Sequence, residues 1–409
     1  MRNHKIKLLP IASFVLLLST IWTACTSINP SASAVKTFEK QIENNDIDLP
    51  AETLDVSLKP VDAEKAADLY MGYLDQQDSE LLKKEWADTT YTFDKYVMPV
   101  KVRYFKPTEG AKSLIISLHG GGSTTKEAND QQWRNQIALY NNMSNAVYVA
   151  PRAAVDAWNM WHQSHVDELL TKIIRSYVLF DQVDPNRVYI TGYSAGGDGV
   201  YQLAPRMSDR LAGADMNAGH PNEVTPLGLR NLPFALFMGA EDAAYHRNDI
   251  ARKWRVSLDS LQDLDPNGYT HYVDVVPGKG HWMDHKDSLA LDWMVKYRRA
   301  INPNRVVWIQ DDVKYASSYW LATDVKSSKA GDMADVVKEG NTFTVKDSSF
   351  KTLYIQYSPT SIDPNKPIEV IYNGKKKSYE PTFTLRHLIN TANNTHDAEL
   401  IYMGRIEVK

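Results

Sequence analysis

The sequence predicts an α/β fold, with a mostly parallel sheet flanked by helices, followed by a smaller antiparallel β domain. Continuous apolar runs such as 114–118 and 146–150 suit parallel strands that are buried on both faces. Between two such runs, apolar residues over 166–177 recur at helical spacing, as the crossover between parallel strands requires. After Pro303 the chain changes to short β-rich runs joined by turn signals such as Asn373-Gly374, which predict hairpins.

Composition and charge narrow the class of protein. The chain has 409 residues, 43% hydrophobic and 23% charged, which are the proportions of a folded protein and not of a disordered one. Its 46 basic and 50 acidic side chains leave a net charge of -4, so no nucleic-acid partner is expected. The single cysteine, Cys25, excludes an intramolecular disulfide, a cysteine-rich zinc site and a catalytic thiol elsewhere in the chain. A nucleophile must therefore be sought among Ser, Thr, Lys, Asp and Glu.

The N-terminal segment is typical of an export signal. Three basic residues precede an apolar stretch over 8–22, which is shorter than the roughly 20 residues that span a bilayer. Ala24 and Cys25 follow in an order that resembles a bacterial lipoprotein signal, so we predict a signal peptide over 1–24 and lipidation of Cys25. An ordinary cleaved signal or an uncleaved anchor is the alternative. We expect the protein outside the cytoplasm, lipid-anchored to a bacterial membrane on the periplasmic side or at the cell surface.

Changes of sequence texture divide the rest of the chain into three parts. Residues 25–60 are rich in Ser, Asn, Asp and Pro without strong periodicity and are predicted to be a tether. Residues 61–302 begin with a helical lead-in and continue as the α/β domain, in which sites form beyond the carboxyl ends of the strands. Residues 303–409 are predicted to be an antiparallel β domain packed as a sandwich, with a role that the sequence does not indicate.

A serine lies where a strand is predicted to turn sharply into a helix. The pentapeptide Gly192-Tyr193-Ser194-Ala195-Gly196 directly follows the apolar run 188–191 and matches the G-x-S-x-G nucleophile elbow. Glycine on either side lets the chain turn tightly, which exposes the hydroxyl and aims the N-terminus of the next helix at it. A plain strand-to-helix turn is the alternative, but the position after a buried strand favours a nucleophilic Ser194.

A glycine-rich loop follows the run 114–118. Its sequence is His119-Gly120-Gly121-Gly122, and such a loop presents backbone N–H groups to an oxyanion. We predict an oxyanion hole formed by the amide of Ala195 and an amide from Gly121 or Gly122. A phosphate cradle is the rival interpretation, but the Lys-Ser or Lys-Thr of a P-loop does not follow. His119 is expected to orient the loop and not to act as a base.

A catalytic serine needs a base, and the base needs an acid to orient it; after an elbow they follow in the order acid, then histidine. Asp242 comes after the run 234–238, and His281 lies on a glycine-rich loop after the run 272–276. We predict His281 as the general base and Asp242 as its partner. Glu241 is the alternative acid, because spacing cannot separate neighbours. His285 is the alternative base, expected inside the following helix.

These motifs together resemble the α/β-hydrolase superfamily over residues 97–302. More narrowly, they are similar to the secreted serine esterases that include feruloyl and acetylxylan esterases and polyhydroxybutyrate depolymerases. The resemblance is carried by His119–Gly122, Asp184–Gly197 and Gly280-His281. It implies an α/β-hydrolase sheet and a two-step reaction through an acyl-enzyme on Ser194, with no metal or organic cofactor.

Four aromatic side chains are candidates to line the substrate site. Trp158, Trp161 and His162 follow the run 146–150 on the predicted catalytic side of the sheet, and Trp282 is next to the predicted base. Each tryptophan has a large face that can stack on a sugar or phenolic ring, but packing in the core is an equal alternative.

His162, His165 and Asp167 lie close together in sequence and are candidate metal ligands. A third His or Glu at ligand spacing is missing from the local sequence, so the pattern predicts no metal there.

The resemblance therefore implies a hydrolase of carboxylic esters. The short connection between the predicted strands near 216 and 234 leaves little sequence for a lid, which favours bulky or polymeric esters over buried lipids. Among such esters, the resemblance implies acetyl or feruloyl esters on polysaccharide as candidate substrates. A serine peptidase of the prolyl oligopeptidase type shares the fold and triad and is the first alternative, although no β-propeller precedes the catalytic domain. A non-catalytic glycan-binding lipoprotein is the second alternative.

Overall fold

The computed structural model describes residues 29–141 and 143–409. The predicted signal peptide and the predicted lipidation site at Cys25 lie outside these residues. Within them, no helix combines the length and the apolar character needed to cross a bilayer.

Three helices come first and three strands follow them. Strands and helices then mostly alternate up to residue 294, and the elements after it are mostly strands. The α-helices are α1 (Pro30–Glu43), α2 (Ala51–Leu54), α3 (Pro60–Ala87), α4 (Lys126–Gln136), α5 (Ser164–Asp181), α6 (Ala195–Arg206), α7 (Arg247–Leu264), α8 (Ser288–Met294) and α9 (Leu385–Thr395). The first strands are β1 (Thr90–Phe93), β2 (Tyr96–Tyr104), β3 (Lys112–Leu118), β4 (Ala146–Pro151), β5 (Val183–Tyr193), β6 (Gly213–Asn217), β7 (Phe234–Gly239) and β8 (His271–Val276). The later strands are β9 (Arg305–Ile309), β10 (Ser317–Ser318), β11 (Leu321–Ala322), β12 (Met333–Glu339), β13 (Thr342–Ser348), β14 (Tyr354–Tyr357), β15 (Ile368–Tyr372), β16 (Lys375–Tyr379) and β17 (Gly404–Glu407).

Strands β1 to β8 form one eight-stranded sheet in the order β1-β2-β4-β3-β5-β6-β7-β8. The strands from β4 to β8 in this order pair in parallel, and β1 and β2 add an antiparallel edge. Alternate residues of β3 enter different cores: Leu114 and Ile116 pack with α5 and α6, and Ile115 packs against α8 on the opposite face. The predicted fold class, a mostly parallel sheet flanked by helices, is confirmed.

The C-terminal region contains two further sheets. One has five strands in the order β16-β15-β13-β12-β9, and the other has four in the order β10-β11-β14-β17. Their inner faces share a core that includes Trp320 and Phe343, whose ring centroids are 5.3 Å apart. The smaller β domain is thus present and mostly antiparallel, but β13 and β15 pair in parallel, and helix α9 was not predicted.

The N-terminal segment differs from the predicted tether over 25–60. Helix α1 begins at Pro30 and buries Val35 and Phe38 in the same core as the C-terminal sheets. The first half of α3 packs there as well, through Ala66 and Tyr70. The apolar residues of α1 are few, so their helical spacing is hidden among Ser, Asn and Asp when the segment is judged by composition. At the other end of α3, Trp86 packs against the core of the α/β sheet. The helical lead-in, assigned by sequence to the α/β domain, therefore packs against both cores.

Candidate active site

The predicted nucleophile lies at a strained turn between β5 and α6. Ser194 has φ 59° and ψ -122°, a conformation that exposes its hydroxyl at the N-terminus of α6. The amide of Ser194 donates to the carbonyl oxygen of Asn217, 2.9 Å away at the end of β6. A Cβ on Gly196 would lie only 2.1 Å from the carbonyl oxygen of Leu118. Glycine is required there because α6 leaves the sheet in contact with the end of β3.

The structure brings Ser194, His281 and Asp242 into one hydrogen-bonded chain. The Nε2 atom of His281 lies 3.0 Å from Oγ of Ser194, and its Nδ1 atom lies 2.7 Å from Oδ2 of Asp242. Asp242 is 4% exposed, whereas Glu241 is exposed, so the geometry separates the two candidate acids. The alternative base His285 lies in an exposed turn with φ 60°, before α8 and not inside it as expected.

A cation lies beside the carboxylate of this chain. Nη1 of Arg247 is 3.7 Å from Oδ1 of Asp242, and both side chains are largely buried. The carboxylate of Asp242 thus contacts Arg247 through Oδ1 and His281 through Oδ2, so both of its oxygens are engaged.

The glycine loop lies directly against the nucleophile. A Cβ on Gly120 would be 3.1 Å from Cβ of Ser194. Among the described residues, the amides of Gly121 and Ala195 have no hydrogen-bond acceptor. The amide of Gly122 is already used, because it donates to Oδ1 of Asn129 at 2.8 Å. Of the two glycines predicted as donors, Gly121 therefore remains, and Gly122 instead fixes the loop.

Asn129, on α4, is a site residue that sequence reasoning missed. Its side chain is fully buried, accepts from Gly122 and donates from Nδ2 to Oδ1 of Asp156 at 2.8 Å. Asp156 in turn accepts from the guanidinium of Arg152. The loop is thus held by a helix and a strand end that are distant in sequence. A polar residue in a polar helix carries no pattern that would have revealed this contact.

His119 holds the glycine loop through hydrogen bonds of its ring, in agreement with the role expected from the sequence. Its Nε2 accepts from the amide of Ala153 at 3.1 Å, so the ring proton is on Nδ1, which donates to the carbonyl oxygen of Gly120 at 2.6 Å. Burial lowers the pKa of His119 to about 4, which keeps the ring neutral. A neutral buried ring bonded on both nitrogens orients the loop and is not placed to act as a base.

The four aromatic candidates divide into two groups. Trp158 is 58% exposed beside Gly122, and Trp282 is 47% exposed next to the base. Trp161 and His162 are buried. The indole N–H of Trp161 donates to the carbonyl oxygen of His119 at 2.9 Å, so this side chain belongs to the core. Only Trp158 and Trp282 offer a face to a substrate.

Tyr193 connects the elbow to the base loop, a role that the sequence motif did not suggest. Its hydroxyl donates to the carbonyl oxygen of His281 at 2.7 Å and accepts from the amide of Met283 at 3.1 Å. The ring of Trp282 lies 5.7 Å from that of Tyr193. Tyr193, the residue before the nucleophile, therefore fixes the position of the His281 loop relative to Ser194.

Two of the three candidate metal ligands, His165 and Asp167, each contact a different partner. The ring of His165 stacks on Tyr96 at 3.6 Å, and Asp167 lies 3.2 Å from Nη2 of Arg206. Within the described ranges, the one group of three potential ligand side chains that comes together is Glu223, Asp311 and Asp312.

Comparison with curated proteins finds a relative of part of the chain. A poly(3-hydroxybutyrate) depolymerase of Ralstonia pickettii is 29% identical over 144 residues, which are 30% of this chain and 28% of the depolymerase. The chain thus spans well under two thirds of the length of that relative. No protein-family model matches the chain.

Solved structures with similar folds cover about half of the chain. A thermostable esterase is 19% identical, with 51% of this chain and 62% of the esterase covered at a TM-score of 0.38. The esterase PE8 is 18% identical, with 49% and 98% covered at a TM-score of 0.35. An acylaminoacyl peptidase is 16% identical, with 51% and 41% covered at a TM-score of 0.36.

Proposed function

We propose that this chain, an α/β-hydrolase by its fold, is a serine hydrolase that cleaves carboxylic esters. The observation that carries the proposal is the unbroken chain of hydrogen bonds from Ser194 through His281 to Asp242, at 3.0 and 2.7 Å. Among the described residues, the amides of Gly121 and Ala195 have no acceptor. Ala195 directly follows Ser194, and Gly121 follows Gly120, where an added Cβ would lie 3.7 Å from Oγ of Ser194. A nucleophile, a base with its orienting acid, and donors for an oxyanion are the parts that acyl transfer requires.

In the first step, Nε2 of His281 takes the hydroxyl proton of Ser194 while Oγ attacks the ester carbonyl carbon. The C=O bond opens to an oxyanion, which accepts hydrogen bonds from Gly121 and Ala195. Asp242 accepts from Nδ1 of His281 and stabilises the imidazolium that forms. Collapse of the tetrahedral intermediate breaks the ester C–O bond, and His281 gives its proton to the departing alcohol.

In the second step, water attacks the acyl-enzyme. His281 takes a proton from the water, and the hydroxide adds to the carbonyl carbon to form a second oxyanion in the same site. Collapse breaks the bond to Oγ of Ser194, which recovers its proton from His281, and the carboxylic acid leaves.

The test is hydrolysis of short-chain p-nitrophenyl esters by the chain without residues 1–25. We expect turnover in the unmodified protein and a loss of at least about 10³-fold in Ser194→Ala. Ser257→Ala is a matched control, because Ser257 is exposed on α7. Equal hydrolysis by Ser194→Ala and the control would contradict the proposal. Cleavage of peptides without cleavage of esters would favour the peptidase alternative.

For the substrate, we propose a bulky or polymeric ester, such as an acetylated or feruloylated polysaccharide. Trp158 stands exposed next to the glycine loop, and Trp282 stands exposed next to the base. Exposed indole faces at these positions suit a substrate that extends beyond the reacting ester, because each can stack on a sugar or phenolic ring. We expect acylated oligosaccharides to have a lower KM than the corresponding acetyl ester of methanol, and Trp158→Ala to reduce that difference. A KM unaffected by the length of the substrate would contradict this assignment.

For the location, we propose export and attachment to a membrane through a lipid on Cys25. Support comes from the order of basic, apolar and small residues that precede it. The substitution Cys25→Ser is expected to move the protein from the membrane fraction to the soluble fraction. Retention in the membrane after this change would contradict the lipid anchor.

A further inference from the structure

The C-terminal region contains a cleft of about 400 Å³ between α9 and the four-stranded sheet. This volume is within the range of small-molecule binding sites. Six side chains carry the argument: His387, Asn390, Asn394, Tyr354, Gln356 and Arg405.

One wall of the cleft is a polar face of α9. His387, Asn390 and Asn394 follow a spacing of three and four residues, which places them on the same side of the helix. The other side of α9, with Leu388 and Ala392, is buried in the C-terminal core. The helix is therefore fixed by its apolar side and presents its polar side to the cleft.

The opposite wall is a face of the sheet. Gln356 on β14 is in register with Arg405 on β17, so both side chains leave the sheet on the same face as Tyr354. The guanidinium of Arg405 lies 4.6 Å from the centre of the Tyr354 ring. Ile355, which lies between Tyr354 and Gln356 in sequence, points to the core on the other face of the sheet.

These walls have hydrogen-bonding capacity that the protein does not use. Among the described residues, the side chains of Asn390, Asn394, Gln356 and Arg405 have no hydrogen-bond partner. Nε2 of His387 is buried without a partner as well. Burial lowers the pKa of His387 to about 4, so the ring is neutral near pH 7. The carboxamides and the guanidinium that face the cleft are therefore free to exchange water for the hydroxyl groups of a polar ligand.

We infer that this cleft binds a saccharide. A carboxamide both donates and accepts, which matches hydroxyl groups that do the same, and three carboxamides converge here with a neutral imidazole. The ring of Tyr354 offers an apolar surface for the C–H face of a pyranose. Arg405 is the one exposed cation among the six side chains, which is too little positive charge for a phosphorylated or nucleic-acid ligand.

The cleft is separate from the proposed active site. Asp209, just beyond the C-terminal end of α6, is part of its lining, whereas Ser194 precedes the N-terminus of the same helix. A helix of 12 residues is about 18 Å long. A glycan bound in the cleft would therefore hold the protein on a polysaccharide and leave Ser194 free.

The test is isothermal titration of the chain without residues 1–25, with xylohexaose, cellohexaose and trigalacturonate as probes. We expect at least one of them to bind with one site per chain. The double variant Asn390→Ala/Asn394→Ala should weaken that binding by about tenfold or more, since each lost hydrogen bond weakens it several-fold. Both side chains are exposed, so folding should be retained. Gln76→Ala is the matched control, because it removes an exposed carboxamide from α3, away from the cleft.

Binding of a probe that is lost in the double variant and kept in Gln76→Ala supports the inference. Binding of none of the three, or equal binding by the double variant, overturns it. The same titration with Ser194→Ala separates this site from the proposed esterase, because saccharide binding should be unchanged there. Ester hydrolysis and saccharide binding can thus fail independently.

Discussion

At the scale of single residues, the acid partner of His281 is the sharpest assignment to test. Asp242→Asn should lower kcat by about 10⁴-fold, because an amide at this position favours the wrong histidine tautomer and does not stabilise the imidazolium. The backbone should be unaffected, since the two side chains are nearly isosteric. Steady-state hydrolysis of p-nitrophenyl acetate measures the effect.

Glu241→Gln is the matched control for that substitution. Glu241 is exposed and adjacent in sequence, but Asp242 is the residue bonded to His281. The control should keep kcat within about twofold. If Glu241→Gln lost activity and Asp242→Asn kept it, the two roles would have to be exchanged.

Tyr193 is a positioning residue for the base. Tyr193→Phe removes the hydrogen bond to the carbonyl of His281 and leaves the amide of Met283 without an acceptor. The loop should then sample positions in which His281 is out of line with Ser194. We expect kcat to fall about tenfold with little change in KM, since a small misplacement of a reacting group has an effect of this order or larger.

Tyr269→Phe separates this positioning effect from general destabilisation. Tyr269 is a buried tyrosine whose hydroxyl donates to the carbonyl of Leu227 at 3.2 Å, away from the triad. Both variants should lower the unfolding midpoint to a similar extent, but Tyr193→Phe alone should slow phosphonylation of Ser194 by an organophosphate. If the rate of phosphonylation changed equally in the two variants, Tyr193 would have a purely structural role.

At the scale of elements, the sequence predicts the local motifs of the site better than it predicts the contacts between residues that are distant in sequence. The turn at Ser194 and the loop after β3 are encoded in consecutive residues, because glycine and strand placement act locally. The use of the Gly122 amide by Asn129 depends on where α4 packs, which spacing along the chain does not reveal. The burial of Phe38 against the C-terminal sheets is missed for the same reason.

Strand β6, which pairs with the strand that leads into the elbow, carries a buried carboxyl group on Asp215. Oδ2 of Asp215 accepts from Oγ1 of Thr191 and from Nδ2 of Asn217, each at 2.7 Å. Burial raises the pKa of Asp215 from 3.8 to about 8, and the nearby Asp287 adds to the rise. The native state therefore keeps a proton that the unfolded chain has lost, so the stability from this group falls as pH rises between about 4 and 8.

Asp215→Asn should remove that dependence, because the carboxamide resembles the protonated acid. Relative to the unmodified protein, the free energy of unfolding of the variant should rise by about 2 kcal/mol between pH 5.5 and 7.5. Urea unfolding at the two pH values measures this. Asp68→Asn, at an exposed position on α3, should show no such change. A pH-independent difference for Asp215→Asn would mean that the carboxyl is ionised in the native state.

At the scale of the whole molecule, buried polar contacts fix the α/β sheet against the C-terminal region. The guanidinium of Arg299 pairs with Asp397 and donates to Oδ1 of Asn186 at 2.9 Å. The hydroxyl of Tyr319 donates to the carbonyl of Ser208 at 2.6 Å. Such bonds specify one relative orientation more than they add stability, since burying the charge offsets much of the gain. The proposed saccharide cleft and the proposed active site are thereby held at a constant separation.

The N-terminal segment completes this arrangement, and its role can be tested by one cavity-forming substitution. Phe38 on α1 is fully buried in the core that α1 and α3 share with the C-terminal sheets. Phe38→Ala should lower the free energy of unfolding by about 3–5 kcal/mol, the cost of removing an aromatic ring from a packed core. Lys40→Ala, exposed on the same helix, should change it by less than about 0.5 kcal/mol. If the two variants had equal free energies of unfolding in urea, the segment would be a tether as the sequence predicted, because a tether has no buried ring to lose.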